Sequence, residues 1–401
     1  MLAVCSTGLA PLHGQILIHG SGPHQRANIF NSDLAVLESG EQRKDLPCTV
    51  TPSKPSLGFD LKFHAGYQVT VPLKELAGAG NALNIVFRVT ADAHPDEPIY
   101  FAQHLRVPPI EDDAKGDAYL QGAFDVGEGS YHVDWLMRDH TERVCSSNWD
   151  SEAALASKDR PMSLAIAPEV IERADVDQFR EDPPIQRASL DPPLNIKVLV
   201  NFAPQNSLSA SLQPLDTTAL VSILRTIARD PRIGRFSIVA FNMQEEKVIY
   251  RQEGVSRIDF PALGTALHNL NLGTVDLKRL SEKHGDTDFL TGLVRKEMMP
   301  DPQDHPDAVV FAGPKILLDA NPPEQALKDA SDVDFPVFYM NYNLYPQAVP
   351  WKDAISHTVR FFRGYEYTIT RPRDLWFAVS EMVSKIVKSR NERAGSSISS
   401  Q

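Results

Sequence analysis

Hydrophobic residues recur along this chain at two different periods, and the change falls near its middle. Up to about Trp149 they come in short runs at every second position, broken by turn residues. In GFDLKFHAGYQVTVPL (58–73), Phe59, Leu61 and Phe63 alternate with polar residues, and Tyr67, Val69 and Val71 do so again after Ala65–Gly66. Successive side chains of a strand point to opposite faces, so the spacing predicts a hairpin with its turn at Ala65–Gly66. QILIHG (15–20), DLAVLES (33–39), ALNIVFRVTA (82–91), IYFAQHLRV (99–107), AYLQGAFDV (118–126), SYHVDWLMRD (130–139) and ERVCSSNW (142–149) extend the series. About eight or nine strands at this spacing, with scarcely any helix, predict an antiparallel β-sandwich over residues 15–150.

Residues 151–193 hold DRPM, EDPP and LDPP and read as an acid- and proline-rich linker. Within it, SLAIAPEVIERA (163–174) predicts a strand and a short helix. From Leu194 the pattern changes. NIKVLVNF is a near-continuous apolar run, as a strand covered on both faces requires. In LDTTALVSILRTIARD, Asp216 or Thr217 suits an N-cap, and Leu220, Ile223, Leu224 and Ile227 share one helical face. Strands at 235–243, 247–253, 308–313, 335–342 and 364–370 then alternate with helices at 261–270, 275–284, 288–298 and 351–362, and Pro372 opens a closing helix. This alternation predicts a doubly wound, mostly parallel, Rossmann-like α/β domain over 194–389, with a polar, disordered tail at 390–401.

At 401 residues the chain exceeds one hydrophobic core, which agrees with two domains. A net charge of −12 and the lack of any long Lys/Arg run argue against nucleic acid as a partner. No stretch has the roughly 18 consecutive apolar residues that span a bilayer. The start, MLAVCSTGLAPLHGQ, resembles the back half of a secretory signal, so residues 1–14 read as the remnant of a leader. Cys5, Cys48 and Cys145 match no zinc or redox spacing. Cys48 and Cys145 would pair in an oxidising compartment and stay buried thiols otherwise.

The order of elements from Leu194 to Ser389 resembles the von Willebrand factor type A domain, and more closely the divergent VWFA-related domains of large bacterial secreted proteins. That resemblance implies a metal-ion-dependent adhesion site. Its first loop supplies Asp-x-Ser-x-Ser, a second loop a Thr, and a loop after the fourth strand an Asp. Here the first three positions fall on Asn201, Ala203 and Gln205. Thr287, in HGDTDFLTGL, matches the second loop, and FAGP with Ala312 stands where the last Asp belongs. Mg²⁺ wants about six oxygen ligands and sheds water reluctantly. With both carboxylates missing, the resemblance implies a degenerate site with no metal and no other cofactor. The rival is a rearranged ion site around Asn201, Asp286 and Thr287, with Asp288 also within reach.

No G-x-S-x-G, Walker or G-x-G-x-x-G pattern is present. HGSGPH (19–24) reads as a solvated loop, and the acidic turns at 92–98 and 110–117 as exposed turns that only a calcium reading would make functional. Asn341, Tyr342, Asn343 and Tyr345 follow a buried-type strand at the sheet edge where such folds recognise ligands. Together with Asn201, Gln205, Asp286, Thr287 and Asp288 they are the candidate partner-binding residues. The expectation is a non-enzymatic, exported (periplasmic or secreted) protein that binds a protein or cell-envelope component. A cytoplasmic location, or an enzyme with catalytic groups in an inter-domain cleft, is the alternative.

Overall fold

The computed structural model describes residues 16–18, 29–175, 177–187, 192–205, 209, 212–269, 285–299, 305–316, 318, 320–330, 333–344 and 353–398. The leader-like residues 1–14, the 19–24 loop, the whole of the helix expected at 275–284, Tyr345 and Trp351 lie outside them. The chain divides into two compact units, Met1–Val176 and Asp177–Gln401. The segment read as a linker is therefore shared between them.

The first unit holds strands β1 (Ile16–Ile18), β2 (Thr49–Leu57), β3 (Phe63–Pro72), β4 (Asn81–Ala91), β5 (Ile99–Val107), β6 (Asp117–Val126), β7 (Gly129–Arg138), β8 (Val144–Ala153) and β9 (Ile171–Arg173). They form two antiparallel sheets, ordered β1-β5-β4-β7-β8 and β2-β3-β6-β9. Val69, Tyr67 and Phe124 of one sheet share a core with Phe87, Phe101 and Trp135 of the other, as in a β-sandwich. The rings meet edge-on or stacked, with centroids 4.8 Å apart for Phe87–Phe101 and 5.5 Å for Tyr67–Trp135.

Three expectations are corrected here. The turn at Ala65–Gly66 does not exist: β3 runs straight through it, and the chain reverses at 58–62 instead. Phe63, Ala65, Tyr67, Val69 and Val71 keep one phase and are all buried. Gly66 is small because a Cβ there would collide with the backbone of Gly122 on β6. DLAVLES is not a strand but lies in helix α1 (Asn31–Ser39), which buries Asp33, Val36 and Leu37 at helical spacing. Gly40 closes it at φ 66°, in the left-handed region that glycine enters freely. In 163–174 only β9 is regular, and it pairs with β6.

Strand β2, TVTPSKPSL, is an edge strand whose two prolines sit where no central strand would accept them. Cys48, beside it, is disulfide-bonded to Cys145 on β8, with Cα atoms 6.3 Å apart and a sequence separation of 97. At the β2–β3 turn a charged cluster forms. His64 Nδ1 lies 2.7 Å from Asp125 Oδ1 and Nε2 lies 3.1 Å from Asp60 Oδ1. The buried Lys62 ammonium bonds Glu172 Oε2 at 2.9 Å and lies 3.6 Å from Asp125. Hydrogen bonds to the two aspartates push the His64 imidazole up to about 10.

The second unit contains β10 (Leu194–Asn201), β11 (Ile233–Asn242), β12 (Lys247–Val255), β13 (Ala308–Pro314), β14 (Val337–Tyr342) and β15 (Tyr365–Ile369). Its helices are α2 (Pro214–Ala228), α3 (Phe260–His268), α4 (Gly285–Met298), α5 (Glu324–Leu327), α6 (Ala354–Phe361) and α7 (Pro372–Ile398). The sheet order is β12-β11-β10-β13-β14-β15, all parallel except for β12. One face carries Leu199, Val239, Phe311 and Tyr339 against α4, α5 and α6, and α2 packs with α7. Helix α7 passes the expected domain end at 389. Arg390 and Arg393 reach Asp307 at 3.6 Å, so this stretch is helix and not loose tail. No described helix is long and apolar enough to cross a membrane.

Two outcomes follow for the first unit. Closing a loop of 97 residues limits the unfolded chain, so replacing both Cys48 and Cys145 by Ser lowers stability by about 2–5 kcal/mol in denaturant titration; two free thiols at these positions in the native, unreduced protein contradict the bridge. The His64 proton is bound more tightly in the folded state, so its contribution is complete below the ordinary imidazole range and is lost as pH rises towards about 10. His64→Gln therefore flattens the fall of melting temperature between neutral and alkaline pH, while an unchanged slope contradicts the pairing.

Candidate functional site

The order of the parallel sheet reverses between β10 and β13, and in open α/β sheets the crevice beyond the carboxyl ends at such a point is where ligands sit. The residues gathered there are Asn201, ending β10, Gly313 of β13, and Asn341 and Tyr342 of β14. Gly313 pairs with Asn341, and Val200 with Ala312. One transverse row across the crest thus reads Asn201, Gly313, Asn341.

Each side chain is fixed by its neighbours. Asn201 is wholly buried, and its Oδ1 accepts from the Met243 amide at 3.1 Å. Asn341, equally buried, donates through Nδ2 to Glu366 Oε1 at 2.8 Å. Gln205 donates to Asn343 Oδ1 at 2.8 Å and accepts from the Leu344 amide at 3.3 Å, tying the loop after β10 to the loop after β14. The Tyr342 hydroxyl donates to Asp216 Oδ1 at 3.0 Å and lies 3.3 Å from the Ala203 carbonyl. Burial, reinforced by the Asp216 carboxylate, pushes that hydroxyl far up, so it stays a donor at any physiological pH. Asp216 also accepts from the Gln213 amide at 3.2 Å, as the third helical residue of a capping box at the start of α2.

Beneath this layer, the Tyr339 hydroxyl bonds Asp353 Oδ2 at 2.9 Å and the Pro314 carbonyl at 3.0 Å. Asp353 accepts from Ser356 N at 2.6 Å and Ile316 N at 2.9 Å, capping α6 and anchoring the chain after β13. Burial pushes both groups up.

The predicted site residues divide accordingly. Asn201, Ala203, Gln205, Tyr342 and Asn343 meet at the crest, as does Ala312 through its backbone in β13. Asp216, Asn242 and Gly313 belong there too and were not among the candidates. The aspartate at helical position three after the first strand of the unit was a readable signal for the first of them. Thr287 is corrected from a loop to the first turn of α4. There its hydroxyl bonds the Ala320 carbonyl at 3.0 Å, and its amide donates to Asp286 Oδ1 at 2.6 Å. Asp288 is exposed.

A divalent ion does not fit this donor set. The only side-chain oxygen of Asn201 is spent on a backbone amide, Ala203 and Ala312 offer no side-chain oxygen, and the Thr287 hydroxyl is engaged elsewhere. The acidic turns at 92–98 and 110–117 are exposed for most of their length, and among the described residues no three His, Cys, Asp or Glu side chains are grouped to hold a metal. In the first unit, both ring nitrogens of His64 face carboxylates, and His132 is likewise placed between Asp150 at 2.7 Å and Asp134 at 3.3 Å. Imidazoles held on both sides have no nitrogen left for a substrate.

No protein-family model and no curated protein matches the chain. Among solved structures, a minor pilin, PilB, from Streptococcus sanguinis is similar at 11% identity with a TM-score of 0.27, covering 75% of this chain and 87% of the pilin. A Bacteroides uniformis beta-glucuronidase gives 11% identity and a TM-score of 0.18 over 75% of this chain and 34% of that one. A family 2 glycosyl hydrolase from Bacteroides cellulosilyticus gives 10% and 0.19 over 80% and 38%. The chain spans little more than a third of the length of these two hydrolases. Superpositions this loose assign neither fold nor activity.

Proposed function

We propose that this chain is a non-enzymatic, exported protein that binds a protein or cell-envelope component through the crest of its second unit. In this reading the second unit is a von Willebrand A-like domain with a decayed ion site. The sheet order, with β12 as its single antiparallel edge, supports the domain assignment. The observation that carries the reading is the state of the crest: amides and alanines stand at four of the five ion-ligand positions, and the bonds of Asn201, Gln205 and Tyr342 hold the loops after β10 and β14 in one shape. A surface held by uncharged, directional groups suits recognition by hydrogen bonding and apolar area. The Cys48–Cys145 bridge favours an oxidising compartment over the cytoplasm.

The test is crosslinking of the full chain to an envelope fraction, with and without a chelator. The expected result is a discrete crosslinked partner that survives chelation and is lost in the double variant Gln205→Ala, Asn343→Ala, but not in Asp288→Ala. A crosslink abolished by chelator supports the rearranged ion site instead, and a chain found wholly in the cytoplasm removes the envelope reading.

A further inference from the structure

At the amino-terminal end of β11, the opposite end of the sheet from the crest, the second unit holds a cavity of about 230 Å³. Its floor is made by the buried side chains of Ala228, Phe236, Ile258 and Phe260. Residues 182–187, which form neither helix nor strand, supply one wall. Pro183 and Pro184 have no N–H to pair with a neighbouring strand, and the wall is pinned near its ends by arginines instead. Arg257 donates to the Asp182 carbonyl. Arg187 donates to the carbonyls of Ala228 at 3.1 Å, Asp230 at 3.3 Å and Ser256 at 3.1 Å. The chain thus bounds the cavity without filling it.

Arg187 gives this hollow its chemistry. Its guanidinium lies over the Phe236 ring, 5.6 Å from the centroid. A guanidinium has five N–H donors, and three carbonyls take at most three of them. All three acceptors are neutral. The carboxylates nearby are engaged elsewhere. Glu181 holds Arg257 at 2.9 Å, Asp182 lies 3.3 Å from both Arg225 and Arg229, and Asp230 holds Arg232 at 2.8 Å. Asp259 turns its carboxylate to the Ala262 amide at the start of α3. Among the described residues, Arg187 therefore has donors to spare and no carboxylate bonded to it.

Size and wall chemistry select what fits. An apolar cavity of about 150 Å³ holds benzene, so one of about 230 Å³ holds a ring with a small substituent. Phe236 and Phe260 favour a ring through stacked or edge-on contact. The remaining N–H groups of Arg187 suit the two oxygens of a planar carboxylate. An amine is repelled there, and an uncharged group leaves the guanidinium unmatched.

We propose that this cavity is a binding site for a small aromatic carboxylate, its ring against Phe236 and Phe260 and its carboxylate on Arg187. Free aromatic acids and the aromatic C-terminal residue of a peptide share this chemistry. The site is separate from the crest, so its failure leaves the reading of the crest untouched.

The full chain, labelled with ¹⁵N-arginine, is titrated with benzoate, its neutral analogue benzamide, and N-acetylphenylalanine. The expected result is a saturable shift of the Arg187 Nε–H signal with benzoate. Benzamide binds at least about ten-fold more weakly, because it cannot form the charge-assisted pair. In Arg187→Gln, followed through the ligand signals, the preference for benzoate over benzamide disappears. N-acetylphenylalanine assigns the source: tighter binding than benzoate marks a peptide end, weaker binding a free acid. No saturable shift, equal binding of benzamide, or a preference for benzoate that survives Arg187→Gln overturns the site. If that variant does not fold, the comparison of benzoate with benzamide on the unaltered chain decides.

Discussion

Asn201 gives its one side-chain oxygen to the amide of Met243, and the character of the crest depends on that bond. An aspartate in its place would keep an oxygen for that amide and have a charged one to spare for a cation. The asparagine has an N–H left over instead. With no charged oxygen at this position, neighbouring amides and tyrosines brace the crest. Gln205 clamps two loops, Tyr342 ties α2 to the crest, and Asp353 with Tyr339 fixes the chain leaving β13. The carboxylates of Asp216 and Asp353 are both occupied by donors and brace the loops around the crest.

The broad architecture was legible because hydrophobic period reports burial directly. The run LNIKVLVN is buried on both faces and is a strand covered by helices, as its lack of alternation implied. The failures have equally local causes. In DLAVLES, Leu34 and Val36 fit period two, while Asp33, Val36 and Leu37 fit a helix, and seven residues are too few to separate the two. The deciding signal was Gly40, a helix stop. Strand β2 escaped notice because its prolines contradict a central strand, yet an edge tolerates them. The hairpin at Ala65–Gly66 failed because a glycine can mark a close approach of two backbones as well as a turn.

At the site, sequence located the loop after β10 and the end of β14, because strand ends can be counted. It did not reveal that Asn201 and Asn341 flank a glycine, since the three residues are joined only by sheet order and register. Nor did it reveal the His64–Asp125 pair, whose members are 61 positions apart and meet through pairing of β3 with β6.

Crystals of the full chain grown with Mn²⁺ and measured at its absorption edge test the central claim most directly. The account predicts no anomalous peak at the crest, with Asn201 Oδ1 still bonded to the Met243 amide. An anomalous peak at coordination distance from Asn201 Oδ1 and Thr287 Oγ1 would contradict it.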